Sequence, residues 1–186
     1  MNDRLTKWDW INQGLRTLAH DGHGALKAAP MAQKLNVSRG SFYWHFRDIH
    51  DFKSQLLQSW AEYTTDRVQQ KIESEEKEAD RLRALVDRVF GSKLTLEWAV
   101  RAWATEANDV AEMVASVDAR RLAYIQVLLL EAGVPDDLSF RRAAFLYWAL
   151  LGKAVVMDPA QTAMAAESVI TDLCELFIGK PTNLLM

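Results

Sequence analysis

An all-α fold of about nine helices is predicted by three features of the 186-residue sequence. Apolar residues recur at three- and four-residue spacing throughout, the repeat of a helix with one buried face. Alternation of apolar and polar residues, which would mark a strand, never persists. Glycine, proline and Asp or Ser stand where helices would stop and start, as "GVP" at 133–135 and "DP" at 158–159.

The elements follow in chain order. Trp8, Ile11, Leu15 and Leu18 mark one face of a first helix, which ends near His20 and "DGHG". Met31, Ala32 and Leu35 mark a short second helix; Pro30 fits its first turn, whose amides have no partners to lose. Asn36 suits the left-handed position that ends a helix. Ser38 suits the N-cap of a third helix over roughly 39–46. Asp48 caps a fourth, whose face runs Phe52, Leu56, Trp60 and Tyr63 into the 70s. The charged stretch "ESEEKEAD" (73–80) reads as a solvated helix end. Further helices are expected over about 81–90, 95–107, 109–132 and 139–157, and a last one from Asp158-Pro159 to Gly179.

Composition narrows the function. The apolar fraction of 49% belongs to a globular chain. No apolar run reaches the ~20 residues of a membrane-spanning helix, and the N-terminus lacks the apolar core of a secretory signal. Cys174 stands alone, so no disulfide framework or multi-cysteine metal site can form within one chain. Together these place the expected protein in the cytoplasm, with no membrane partner. Charge is uneven: residues 1–53 carry eight Lys/Arg and five Asp/Glu, a balance of +3, and the rest carries −6, making the overall −3. A basic head on an acidic body is expected when one end meets a polyanion.

The stretch "NVSRGSFYWHF" (36–46) sharpens that expectation. Phe42 and Phe46 are four apart and share a face, able to close a small core with Met31, Leu35 and Val37. Rotation by ~100° per residue leaves Arg39 and Tyr43 on an outward stripe and Ser41, Trp44 and His45 on the next. These are hydrogen-bond donors and flat amphipathic rings, suited to phosphates, base edges and thymine methyls. Gly40 has no side chain and lets another molecule approach the backbone. Two short helices joined by a tight turn form a helix-turn-helix.

The stretch "MAQKLNVSRGSFYWHFRDIHDF" resembles the DNA-binding signature of TetR-type transcriptional regulators, in which V-S-x-G-x-x-Y-x-x-F leads into a long connecting helix. The strong match covers roughly residues 8–57; "VRAWATEANDVAEMVASVDARRLAYIQVLLLEAG" and "RRAAFLYWALLG" are similar to the body of one group of these regulators. The resemblance implies a helix-turn-helix domain over 1–50 and an effector-binding and dimerisation domain over 51–186. It implies that Tyr43 and Trp44 pack on the DNA backbone and methyl groups, that Arg39 and Ser41 read bases or phosphates, that His45 reaches a phosphate, and that Ser38 doubles as cap and contact. Gly40, Lys27, Arg47 and Lys53 complete the expected interface. Two positions depart from the family pattern: Ile49 replaces a phosphate-gripping basic residue, and Lys27 stands where a Ser or Thr cap is usual.

The implied molecule is a ligand-responsive repressor, a homodimer on a palindromic double-stranded operator. Ala143, Ala144, Tyr147, Leu151 and Val155 on one helix, and Ala166, Val169, Ile170, Leu173 and Phe177 on the next, are the expected dimer seam, part of which must be intramolecular core. Trp60, Tyr63, Trp98, Trp103, Met113, Tyr124, Phe145 and Trp148 are the candidates to line a pocket for a small apolar or amphipathic effector. No cofactor is implied. A competing reading keeps the DNA-binding head and makes the body a dimerisation scaffold with no effector. An enzyme is not expected: no histidine lies beyond residue 50, His20 and His23 have no cysteine or matched carboxylate near them, and no glycine-rich phosphate loop is present.

Overall fold

The computed structural model describes residues 5–152 and 167–179. Among them there is no strand. The helices are α1 (Lys7–Asp21), α2 (Ala28–Lys34), α3 (Gly40–Tyr43), α4 (Ile49–Ala61), α5 (Arg67–Glu75), α6 (Arg81–Gly91), α7 (Thr95–Ala104), α8 (Asn108–Glu131), α9 (Asp136–Gly152) and α10 (Glu167–Ile178). A π-helical segment, Glu62–Asp66, joins α4 to α5, so the pair counts as one long helix and the expected nine are present. No described helix is long and apolar enough to cross a membrane.

The described chain forms two compact units. One comprises the described residues up to Asp66 with Lys93–Val117; the other comprises Arg67–Ser92 with the described residues from Asp118 onward. The unit that holds the helix-turn-helix is therefore larger than residues 1–50: it takes in α4, α7 and the first part of α8.

In the first unit α1 starts with a capping box. Thr6 N–H donates to Asp9 Oδ2 at 2.7 Å and Asp9 N–H donates back to Thr6 Oγ1 at 3.3 Å, satisfying two amides at the helix start. The hydrogen bonds from Thr6 hold the Asp9 carboxyl below its ordinary range. The buried face of α1 is Trp10, Ile11, Gly14, Thr17 and Leu18. Trp8, expected in the core, is exposed and stacks on Tyr63 at 5.0 Å between ring centroids. Gly14 lets α1 lie against α4: a Cβ there would come within 2.5 Å of Phe52 Cζ and closer still to Leu56 Cδ1. The core is aromatic. Trp10 meets the edge of Phe42 at 5.4 Å, and Phe46 meets Phe52 at 4.9 Å, with Leu56 and Trp60 also fully buried.

The second unit packs α6 against α9 and α10 around Ile72, Leu82, Val86, Leu129 and Leu146. This unit divides the expected dimer seam. Ala143 is fully buried, Tyr147 is buried with its hydroxyl donating to Asp118 Oδ1 at 2.6 Å, and Ile170 is buried; these three belong to the intramolecular core. Leu151, Leu173 and Phe177 are half-buried against the same core, and Ala144 is half-buried on α9. Val155, Ala166, the side chain of Val169 and the expected Asp158-Pro159 start lie outside the described residues. α9 begins at Asp136, three residues before the expected start, because Asp136 and Asp137 suit the positive end of a helix.

Candidate nucleic-acid interface

Residues 28–46 form the helix-turn-helix. Leu35 ends α2, and Asn36 takes the left-handed conformation at φ 55°, a placement asparagine tolerates better than most side chains. The chain then enters α3 through two tight turns, with Ser41 N–H donating to Ser38 O at 3.0 Å and Phe42 N–H to Arg39 O at 3.2 Å. No side chain caps α3, so Ser38 supplies its carbonyl and not the expected hydroxyl. Beyond Tyr43 the helix tightens: His45 N–H and Phe46 N–H both donate to Phe42 O. α3 is thus one helical turn with a compact end, shorter than the expected 39–46. Asp48 then caps α4 as expected, its Oδ1 accepting from Asp51 N–H at 2.8 Å.

This turn divides the rings of the sequence. Phe42 and Phe46 are buried, whereas Tyr43 is 50% and Trp44 77% exposed. Arg39 Nη2 donates to Tyr43 Oη at 3.1 Å, and its guanidinium stands 5.7 Å from the centroid of that ring. A pair fixed at i and i+4 presents a planar cation and a phenol together. Gly40 is exposed, and a Cβ there would meet only Ser38 Oγ at 3.6 Å. No internal packing demands glycine at this position. Ser38 is exposed, Ser41 half-buried, and His45 half-buried with its ring 6.3 Å from that of Phe46. Lys27 is exposed at the N-cap of α2.

The other two expected contacts are differently placed. Arg47 is exposed beside Asp51, 3.8 Å away, and its N–H donates to the same carboxylate at 2.9 Å. That amide, then the Gln55 side chain, holds Asp51 below the usual carboxylate range. Lys53 is half-buried, with Nζ 5.4 Å from the centroid of Trp103. It lines a groove of about 520 Å³ with Arg47, His50, Trp103 and Asp109. In the same unit His23 stacks parallel to Trp103 at 5.8 Å and lies 3.4 Å from Glu106. Neither His23 nor Gly14 was marked by apolar spacing, because that pattern scores neither a half-polar ring nor an absent side chain.

The eight pocket candidates are divided between the units. Trp60 is fully buried in the first core, Tyr63 stacks on Trp8, Trp103 is buried, and Met113 packs against the same core. Trp98 is half-buried, and its indole N–H has no hydrogen-bond partner among the described residues. In the second unit Tyr124 is half-buried. Phe145 and Trp148 form an edge-to-face pair at 5.5 Å and are 61% and 60% exposed. That pair is exposed on α9.

No protein-family model matches the chain, and no curated protein matches its sequence. Solved structures do. NemR of E. coli in its reduced form superposes with a TM-score of 0.74 at 17% identity, over 95% of this chain and 99% of that one. A transcriptional regulator from Rhodococcus sp. Rha1 gives 0.70 at 16% identity, over 94% and 95%. A Rhodococcus sp. chain described as a TetR-family transcriptional regulator gives 0.59 at 16%, over 93% and 99%. The chain has the TetR-type regulator fold. At these identities the likeness establishes the fold alone. Within this TetR-type fold, α2 and α3 are the helix-turn-helix and Arg39, Tyr43 and Trp44 its outward row.

Proposed function

We propose that the protein is a sequence-specific, double-stranded-DNA-binding transcriptional regulator, a homodimeric and ligand-responsive repressor acting on a palindromic operator. The carrying observation is the outward row of α3. Arg39, Tyr43 and Trp44 stand exposed on the second helix of a helix-turn-helix, anchored from behind by buried Phe42 and Phe46. Arg39 is suited to guanine O6 and N7 or to phosphate, and the two rings to sugar and thymine methyl. Lys27, Ser38, Ser41, His45 and Arg47 flank the row and suit phosphate contact. Lys53, drawn toward Trp103, is a weaker candidate. On this reading residues 1–50 are the DNA-binding domain and 51–186 the body that senses and dimerises, even though α7 and the start of α8 pack with the head.

Dimerisation is supported by the outward face of α9 and α10. Phe140, Phe145, Trp148 and Leu176 are all exposed, a concentration of large apolar side chains that a monomer rarely leaves in water. The second unit carries a groove of about 780 Å³, bordered by Ile72, Ala84 and Ile170 and by seven charged side chains, among them Lys71, Glu75, Asp87 and Arg88; it offers an effector room, but none of the eight expected pocket residues lines it. A drug-sized ligand needs ~300 Å³ or more. A body serving only as scaffold remains the second reading, and would respond to no ligand.

Selection from a random DNA library tests the central claim, using wild type beside an Arg39→Ala/Tyr43→Ala/Trp44→Ala variant at two salt concentrations. An enriched palindrome, lost in the variant and bound less tightly as salt rises, is the expected outcome. Absence of any enriched motif, or equal binding by the variant, would overturn it.

A further inference from the structure

The recognition helix of this chain is short. α3 has four residues, and at ~1.5 Å per residue it spans ~6 Å, about half the ~12 Å width of a major groove. Its side chains can read base edges, but the phosphates bordering the groove must be gripped largely by elements beside it. Those contacts fix the register and orientation of a protein on the duplex. Lys27, at the N-cap of α2, suits one such phosphate. Ile49, the first residue of α4, is half-buried against the core and brings no charge.

The first turn of α1 meets the end of the helix-turn-helix. Lys7, the first residue of α1, is exposed, and its Nζ lies 5.5 Å from the centroid of Phe46. A cation at that distance is attracted by the ring, which holds the amine beside the exit of α3. Charge is felt across the same junction. Asp9 is kept below its ordinary range first by its hydrogen bonds with Thr6 and in smaller part by His45. Asp51 is kept low first by the Arg47 amide and the Gln55 side chain, and last by the charges of Arg47 and Lys7. Lys7, His45 and Arg47 therefore gather where α1, α3 and α4 converge. The carboxylates there are already engaged. Asp9 Oδ2 accepts from both the N–H and the hydroxyl of Thr6 at 2.7 Å, Asp48 caps α4, and Asp51 accepts from Arg47 N–H and from Gln55 Nε2. Lys7 has no ion-pair partner among the described residues, so its charge is left for an anion outside the chain.

We propose that Lys7, from the first turn of α1, grips a DNA backbone phosphate beside the end of α3, flanked by His45 and Arg47. This rests on the DNA-binding reading and deepens it by extending the interface beyond the helix-turn-helix. An ammonium is a compact point charge with three donors, suited to a phosphate oxygen. Because phosphates carry no sequence information directly, Lys7 adds affinity and register and leaves the choice of bases to Arg39, Tyr43 and Trp44.

The test measures binding of the full chain to its selected operator and to an unrelated duplex of equal length, by fluorescence anisotropy over a series of salt concentrations. Lys7→Ala is expected to weaken both about three- to tenfold and to reduce the salt slope by about one per protomer, as loss of one phosphate contact does. The motif it selects from a random library should stay that of wild type. Lys7→Met keeps an unbranched stem over Phe46 without the charge and should match Lys7→Ala, whereas Lys7→Arg should bind as wild type does. Lys71→Ala removes the same charge from the second unit, where Lys71 pairs with Glu75, and should leave binding unchanged. Because Lys7 is exposed, every variant is expected to keep the wild-type melting temperature. Wild-type affinity in Lys7→Ala or in Lys7→Met, a changed motif, or an equal loss in Lys71→Ala would overturn the proposal. Failure of wild type to select any operator would instead overturn the DNA-binding reading on which it rests.

Discussion

Gly14 and Gly40 occupy helices for opposite reasons, and one substitution separates them. At Gly14 the space is already filled by Phe52 and Leu56 of α4. Gly14→Ala is therefore expected to destabilise the protein by about 1–3 kcal/mol, the usual cost of overpacking a tight core, measured by urea unfolding. At Gly40 the space is open, so Gly40→Ala should leave the fold intact or stabilise it slightly, since alanine favours helix over glycine by up to ~1 kcal/mol. Its operator affinity should fall by roughly tenfold or more if DNA approaches the backbone there. Unchanged DNA binding by Gly40→Ala would remove the reason for a glycine at that position. Only Gly40 was legible in the sequence, through its place among Arg39, Tyr43 and Trp44. Gly14 was hidden because the spacing of Trp8, Ile11, Leu15 and Leu18 counts only apolar side chains. Ile11 and Leu18 of that stripe are buried, but the buried side extends beyond them to Trp10, Gly14 and Thr17, two of which an apolar pattern does not count.

The helices themselves were legible because their punctuation is local. Asp48, Asn36 and Gly133 each act within one turn of their own position; Gly133, at φ 86°, ends α8 where the sequence places the stop. The π-helical segment was not legible. Glu62–Asp66 contains no residue that forbids an α-helix, and its register goes with contacts from elsewhere, the stacking of Trp8 on Tyr63 and the burial of Thr65. α8 and α9 are tied by Gln126, which donates to Ser139 Oγ at 3.0 Å, and by Tyr147, which donates to Asp118; the second tie carries a pH signature. Burial, foremost, raises the Tyr147 hydroxyl to about 12, and its bond to Asp118 adds to the rise while Arg121 opposes it. A phenol whose folded pKa lies above the unfolded value of about 10 stabilises the fold fully below pH ~10, and that contribution is lost as pH rises toward 12. Unfolding free energy is thus expected to fall between pH 10 and 12, with a shallower fall in Tyr147→Phe. Equal slopes in the two proteins would assign the alkaline loss to other groups.

At the scale of the whole molecule, the sequence separates a basic head from an acidic body, but the compact unit around the head also takes α7 and part of α8. Charge and motif mark which residues meet a partner; they do not mark which helices pack together, because an apolar face looks the same whichever neighbour covers it. The dimer seam shows the same ambiguity. Ala143 and Tyr147 were chosen as small or uncharged residues on one stripe, and both are buried within the chain, while Phe145 and Trp148 on the other side of α9 remain in water with Leu176 of α10, 70% exposed. If a second copy covers that face, charging it should separate the copies without disturbing the core behind it. Phe145→Glu/Trp148→Glu is expected to sediment as a monomer at concentrations where wild type is a dimer, with an unchanged helical circular dichroism spectrum. One recognition helix spans only a few base pairs, and two must reach half-sites about 34–36 Å apart to read a palindrome. The monomeric variant should therefore lose operator binding while retaining weak, salt-sensitive attraction for any DNA. A variant that stays dimeric would move the interface off this face of α9 and leave the exposed aromatic pair for another partner.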